Sequence, residues 1–331
     1  MMNTKLQSLC DALGLGRMTE PPQRISGGLL HRMYRVCTAQ GDYAVKALNP
    51  DIMARPEAPQ NMIHSEQIAR ALQDTVPLAA ALTFDGQALL LQDSDYYLIY
   101  PWLEGHSVFP PEITADHCRK IGALLGKIHA ADVQIPGMEQ EDAPRTPYPW
   151  ASLLHTAEQV HPACAALLKN HLAMLCHWDE RALTAQRILA GRQVISHRDL
   201  DPKNVLWHCD QPCIIDWEAA GWVNPQQELM EVIQYWTGGS PMMLRALMEG
   251  YTCAGVPFSA PWAIVLDASR DGMLGWLHYN LRRALGLEGS TTAGREEGLR
   301  QTALTLEELE RHAAHAPQLE CWLQQYEQQN T

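Results

Sequence analysis

Between Met33 and Leu48 apolar and polar residues alternate: Met33-Tyr34-Arg35-Val36-Cys37-Thr38, a turn at Gln40-Gly41-Asp42, then Tyr43-Ala44-Val45-Lys46-Ala47-Leu48. A period of two sends successive side chains to opposite faces of a sheet. With Arg24-Ile25-Ser26 leading into Gly27-Gly28 ahead of it, the stretch predicts an antiparallel meander. The period then lengthens: Met62, Ile68, Ala69 and Leu72 share one side of a helix spanning Asn61 to Leu72. Tyr96 to Gly105 is again β-rich and is closed by Pro101 and Gly105. Thr114 to Ala131 predicts a helix with Thr114 as its cap, Ile121, Leu124, Leu125 and Ile128 as its buried stripe, and His129 as a structural histidine at its end.

Residues 134–150, rich in proline and acidic side chains, read as an irregular connection. Ser152 to Ile188 is helical in period, with Leu153, Leu168, Leu175 and Leu183 among its apolar positions. Val205 to His208 and Cys213 to Asp216 read as two strands joined by the turn Cys209-Asp210-Gln211-Pro212. After Leu229 the pattern is helical again. Trp276, Tyr279 and Arg283 share a face and are read as anchoring the terminal helices in a core, with a cation–π cage for an ammonium group as the alternative, and a last helix runs on from Glu307.

Composition narrows the classes. The chain has 331 residues, 46% of them hydrophobic and 19% charged, which is enough for one large or two modest domains with true cores. A formal net charge of −13 argues against a nucleic-acid backbone or an anionic membrane surface as partner and suits a cationic substrate. Residues 1–22 show no basic start followed by an apolar core, and no stretch reaches the length of a membrane span, so a cytoplasmic location is expected. Nine cysteines, odd in number and irregular in spacing, read as reduced thiols.

The chemistry concentrates in His197-Arg198-Asp199-Leu200-Asp201-Pro202-Lys203-Asn204 and, beyond the predicted hairpin, Ile214-Ile215-Asp216-Trp217-Glu218. Transfer of a γ-phosphoryl group needs Mg²⁺ on the phosphate oxygens, hard oxygen ligands for that metal, and a carboxylate to orient a hydroxyl and take its proton. Asp199 fits the last role; Asn204 and Asp216, carried to one place by a tight hairpin, fit the metal.

His-Arg-Asp-Leu-x-x-x-Asn followed by Ile-Asp-Trp resembles the catalytic and metal-binding segments of the kinase superfamily. Within it, the chain resembles the aminoglycoside phosphotransferase and choline kinase family more than the protein kinases. Trp217-Glu218 stands where protein kinases carry Phe-Gly, no Ala-Pro-Glu follows, and Val223-Asn224-Pro225-Gln226-Gln227-Glu228-Leu229 is similar to that family's Gly-Asp-Pro-x-x-Asp-Leu run. The resemblance implies an α+β, two-lobed protein-kinase-like fold. Residues 1–100 would form a small antiparallel sheet plus one helix, residues 101–105 a hinge, and residues 106–331 a larger, mainly helical lobe with an acceptor-side insertion at about 150–190. It implies ATP, with GTP as the alternative nucleotide, and Mg²⁺ as cofactors.

By the same resemblance Gly27 and Gly28 approach the phosphates, Lys46 steadies them, and Glu66 holds Lys46 in an ion pair. The adenine meets the backbone of Tyr100, Trp102 and Leu103 between Ile99 and Ile215 as apolar walls. Asp199 is the catalytic base, and Asn204 and Asp216 hold the metal. The implied activity is phosphorylation of a hydroxyl on a small, amino-bearing molecule such as an aminoglycoside. A choline or ethanolamine kinase is the runner-up, ahead of a protein kinase or a non-catalytic binding module. Asp201 and Glu218 would lend the mouth of the site its negative charge.

Overall fold

A computed structural model describes residues 2–25, 31–140, 145–289 and 291–330. The chain falls into two compact units: one of Met1–Glu139, Val194–Trp222 and Val232–Val256, the other of Gln140–Gln193, Val223–Glu231 and Pro257–Thr331.

The first unit opens with helix α1 (Met2–Ala12), then strands β1 (Gln23–Ile25), β2 (Arg32–Thr38) and β3 (Gly41–Ala47). Helices α2 (Pro50–Met53) and α3 (Ala58–Leu72) and strands β4 (Leu90–Gln92) and β5 (Asp95–Pro101) follow. The five strands form one antiparallel sheet in the order β1-β2-β3-β5-β4, the meander expected from the alternation. Alternation along β3 and β5 sorts their side chains. Val45 and Ile99 pair and enter an apolar cluster with Leu6, Leu9 and Cys10 of α1, while Lys46 and Leu98 pair on the other face. Helix α1 therefore covers one face of the sheet, an element for which the alternation gave no sign.

Helix α4 (Ala115–Ala130) is capped as expected: the Thr114 hydroxyl accepts the His117 N–H, and the His117 ring accepts the Thr114 N–H. His129 is buried, its Nδ1 3.0 Å from the Tyr251 hydroxyl.

In the second unit, the run read as helical in period is two helices, α5 (Trp150–Val160) and α6 (Pro162–Leu189). Pro162 has no N–H to give the turn before it and forces His161 out of the helical region, to φ −152° and ψ 85°.

The chain then returns to the first unit through β6 (Val194–Ser196), a hairpin of β7 (Val205–His208) and β8 (Gln211–Ile214), and β9 (Gly221–Val223); α7 (Pro225–Thr237) begins in the second unit and ends in the first, and α8 (Pro241–Thr252) belongs to the first. The hairpin turn is tighter than the four residues expected. Cys209 and Asp210 alone make it, both at positive φ, so Pro212 falls inside β8 opposite Trp207.

In the second unit, α9 (Trp262–Ala268), α10 (Arg270–Ala284) and the long α11 (Thr292–Asn330) complete the chain. Leu274, Leu277 and Leu281 of α10 share a core with Trp150, Leu168 and Leu175. Trp276 and Tyr279 do not: they lie 48% and 44% exposed, their rings stacked at 5.7 Å, because the buried stripe of α10 is its leucine face. Among the described residues no helix is long and apolar enough to cross a membrane. All nine cysteines are free thiols.

Helices α4 and α8 meet backbone to backbone. A Cβ on Gly122 would sit 2.0 Å from the Leu247 carbonyl oxygen, and one on Gly250 2.0 Å from that of Arg119. Only glycine permits this approach, since neither carbonyl can move without breaking its helix. Gly250→Ala is expected to destabilise the protein by about 3 kcal/mol or more, read as a fall in the midpoint of chemical denaturation. A midpoint unchanged within error would show that the crossing can widen freely.

Candidate active site

Local hydrogen bonds gather the carboxylates and the amide picked out in the sequence. The Asn204 Nδ2 donates to the Asp199 backbone carbonyl at 2.8 Å and to the Asp199 Oδ2 at 2.9 Å. With the donor end of its amide so used, Asn204 has its oxygen left to meet a cation. The Asn204 carbonyl accepts the Ile215 N–H at 2.9 Å, which draws the segment ahead of Asp216 onto the catalytic loop.

His197, fully buried, ties the same two segments. Its Nδ1 accepts the Asp199 N–H at 3.2 Å, which leaves the proton on Nε2 to be donated to the Ile215 carbonyl at 3.0 Å. The Trp217 ring meets the His197 ring at 4.7 Å, nearly edge-on. Two residues at this junction hold left-handed backbone, Arg198 at φ 65° and Asp216 at φ 61°. Such a conformation costs a non-glycine residue about 1 kcal/mol or more, and the surrounding hydrogen bonds sustain it.

Lys46 closes the group. Its ammonium donates to the Asp216 Oδ1 and to the Glu218 Oε2, both at 2.8 Å. Burial works to lower the Lys46 pKa, but the two carboxylates outweigh it and hold the ammonium above its ordinary value.

The expected partner of Lys46 was Glu66, and here the structure corrects the reading. Glu66 is 4% exposed, with one oxygen accepting the Tyr100 hydroxyl at 2.6 Å and the other the Ala81 N–H at 2.7 Å. Burial pushes its carboxyl up against the opposing pull of those two bonds. Glu66 is thus a strut between α3 and β5. Helix α3 packs against the short 3₁₀ turn Trp217–Ala219, which delivers Glu218 to the ammonium instead.

The remaining nucleotide candidates divide. Gly27 and Gly28 lie outside the described residues. Ile99 faces the α1 cluster, on the side of the sheet away from Lys46, so it is not a wall of the site; Ala44, two residues before Lys46, shares the lysine's face. The Tyr100 side chain is engaged by Glu66. The Trp102 N–H is taken by the Asp42 carbonyl at 2.9 Å, and its ring lies under the Arg35 guanidinium at 4.4 Å. Leu103 and Ile215 are half-buried.

Lys203 and His31 join the group without having been assigned a place in it, and Glu218 takes a different place from the one expected. Lys203 sets its ammonium 3.2 Å from the Asp199 Oδ1 and 3.7 Å from the Asp201 Oδ2. Glu218 bridges Lys46 and a buried histidine, His31, whose Nε2 stands 2.9 Å from the Glu218 Oε1. The acidic mouth expected from Asp201 and Glu218 is therefore not a free negative patch: Asp201 caps the Lys203 N–H at 2.8 Å, and Glu218 is spent on Lys46 and His31. The one signal in the sequence was polarity out of place, a histidine at the head of an alternating strand and a carboxylate two residues beyond Asp216.

Among the described residues no three of His, Cys, Asp and Glu are arranged to hold a metal. Asn204 and Asp216 fit a different demand, an oxygen pair for a hard divalent ion whose other ligands are phosphates and water.

The model of the phosphotransferase enzyme family matches residues 22–262. The stress response kinase A of Escherichia coli is 24% identical over 282 residues, 80% of this chain and 80% of its own length. The Salmonella typhimurium protein named serine/threonine protein kinase RdoA is 27% identical over 188 residues, 54% of this chain and 53% of its own, so the chain spans about half of that relative.

Among solved structures, a spectinomycin phosphotransferase superposes with a TM-score of 0.67 at 16% identity, covering 91% of this chain and 93% of its own. A choline/ethanolamine kinase family protein from Mesorhizobium loti does so at 0.56 and 16%, covering 96% and 99%. At such identities the likeness is one of fold, and it is the kinase-like α+β fold expected from the motifs.

The Glu218 carboxyl is desolvated, but the His31 and Lys46 hydrogen bonds more than compensate and bring its pKa down from 4.5 to about 2. A depressed acid contributes stability that is present above its unfolded pKa and is lost as the pH falls toward the folded value. The wild-type protein should therefore lose stability between about pH 4.5 and about pH 2 more steeply than Glu218→Gln, in denaturation midpoints taken across that range. Equal slopes for the two proteins would show that Glu218 does not titrate in this way.

Proposed function

The chain belongs to the phosphotransferase enzyme family, and on that premise we propose that it transfers the γ-phosphate of ATP to a hydroxyl of a small, cationic molecule. One observation carries the reading. Asp199, Asn204, Asp216 and Lys46 form a single hydrogen-bonded chain in one compact unit, through Asn204 to Asp199, Ile215 to Asn204, and Lys46 to Asp216.

Asp199 supplies the carboxylate that orients the acceptor hydroxyl and takes its proton as the new O–P bond forms and the bond to the ADP oxygen breaks. Asn204 keeps the Asp199 Oδ2 occupied, and Oδ1, which meets the Lys203 ammonium at 3.2 Å, is the oxygen that would turn to the acceptor. Asn204 and Asp216 would hold Mg²⁺, which offsets charge on the phosphate oxygens when bound. Lys46 steadies the phosphates, with residues 101–105 as the hinge beside the adenine, Ala44 and Ile215 as its apolar neighbours, and ATP preferred to GTP. Net charge of −13 supports a cationic acceptor, and nine free thiols support a cytoplasmic location.

The Salmonella typhimurium relative, named a serine/threonine protein kinase, favours a second reading, a protein hydroxyl as acceptor. Release of ADP, assayed against aminoglycosides, choline-like amino alcohols and a generic protein substrate, separates the two. Stimulation is expected with a small amino alcohol or aminoglycoside, and stimulation by the protein alone would overturn the first reading.

Asp199→Asn is expected to lower kcat about 10³-fold while leaving ATP affinity within about twofold, because the base acts in the transition state and not in nucleotide binding. Full turnover by that variant would remove Asp199 from the chemistry.

A further inference from the structure

Lys46 has two carboxylate partners, and one of them is committed elsewhere once a metal–nucleotide complex binds. We infer that Glu218, held in place by His31, is the permanent anchor of the nucleotide lysine. His31 is then a positioning residue for the phosphates, acting through Glu218; the inference rests on the phosphotransferase reading above.

The geometry is a line of hydrogen bonds that begins on the backbone. The Asn49 N–H donates to the His31 Nδ1 at 2.9 Å. With that lone pair taken, the ring proton is on Nε2, which donates to the Glu218 Oε1 at 2.9 Å, and the Glu218 Oε2 accepts the Lys46 ammonium at 2.8 Å. The His31 side chain is 2% exposed. Its orientation is therefore set by the linker after β3 and not by solvent. It fixes Glu218 with a neutral N–H, adding no second cation to compete for the carboxylate that Lys46 needs.

Competition among the carboxylates does the rest. Asp216 offers its oxygens to the divalent ion, whose charge outbids an ammonium. Glu66 is spent on Tyr100 and Ala81. Of the three acids nearest Lys46, only Glu218 remains on it through the catalytic cycle. An ammonium on a flexible four-carbon stem needs such an anchor to meet the phosphates in one place.

The test uses the whole chain and ATP itself, with and without Mg²⁺. Titration calorimetry gives ATP affinity, steady-state kinetics give KM for ATP and for the acceptor, and thermal melting reports folding. His31→Leu is expected to weaken ATP binding about tenfold in both metal conditions, the scale of one lost charge-assisted hydrogen bond, while KM for the acceptor stays within about twofold. His31→Gln, whose amide can donate to Glu218, is expected to recover most of the loss.

In a Glu218→Gln background, His31→Leu should cost little further, because the histidine acts only through that carboxylate. Glu66→Gln should weaken ATP less than His31→Leu and appear chiefly as a lower melting temperature.

ATP affinity unchanged in a folded His31→Leu protein, or as weak in a folded His31→Gln protein as in His31→Leu, would overturn the inference. So would an additive loss in the Glu218→Gln background, or a loss seen only with Mg²⁺, which would make Glu218 a metal ligand instead. Failure of the unaltered chain to bind ATP would sink the phosphotransferase reading and this assignment with it.

Discussion

A buried ammonium is the constraint around which the catalytic unit is arranged. Lys46 leaves the central strand of the sheet into a region where its own burial opposes its charge, and it keeps that charge only because two carboxylates stand 2.8 Å away. Both come from one short segment, Asp216 and Glu218, separated by a tryptophan whose ring packs on His197. The sheet and the catalytic loop are thereby joined at a single ion cluster. Loss of either acid would leave Lys46 half-neutralised in a dry place, a penalty of the kind that exceeds the worth of any exposed ion pair.

Backbone conformation supports the cluster from below. The Asp216 carboxylate points at Lys46 from a left-handed residue, and Arg198, on the other side of His197, is left-handed too. Neither conformation is favourable alone for these residue types. They persist because the Ile215 N–H and carbonyl are both engaged, by the Asn204 carbonyl and the His197 Nε2. The strain is distributed over a network in which each group has a partner, so the acids arrive pre-aimed and need no rearrangement to meet a metal or a lysine.

Much of this was legible in the sequence, and what was not shares a cause. Asp199, Asn204 and Asp216 flank one hairpin, where spacing alone predicts proximity, and Lys46 sits on a strand whose alternation is plain. Glu218 and His31 are 187 residues apart, and nothing local ties a histidine after a glycine pair to a carboxylate beyond a hairpin. Glu66 was misassigned for the same reason: its helix was read correctly, but its partners, Tyr100 and Ala81, lie on other segments. The tight turn was missed because cysteine at a positive φ is no turn signal, and the break at Pro162 because the leucine period ran straight through it. Ile99 fell on the wrong face for want of a register, since only the pairing of Val45 with Ile99 shows which side of the sheet each occupies.

Packing explains why the loop can hold so exact an arrangement. The Trp236 indole donates to the Leu200 carbonyl at 2.8 Å, in the middle of the catalytic loop, and the Cys118 thiol of α4 reaches the Trp236 carbonyl at 3.5 Å. Trp207 of the hairpin lies against both Trp236 and His117, with ring centres 6.3 and 4.4 Å apart. Helix α4 is in turn locked to α8 at a distance that Gly122, Gly126 and Gly250 allow. A line of close contacts therefore runs from a glycine crossing, through a tryptophan, to the carbonyl next to Asp199. The crossing has no chemistry of its own, yet a Cβ there would push α4 outward and carry the seat of the loop with it. The position of the Asp199 carboxylate thus depends on glycines that never touch it.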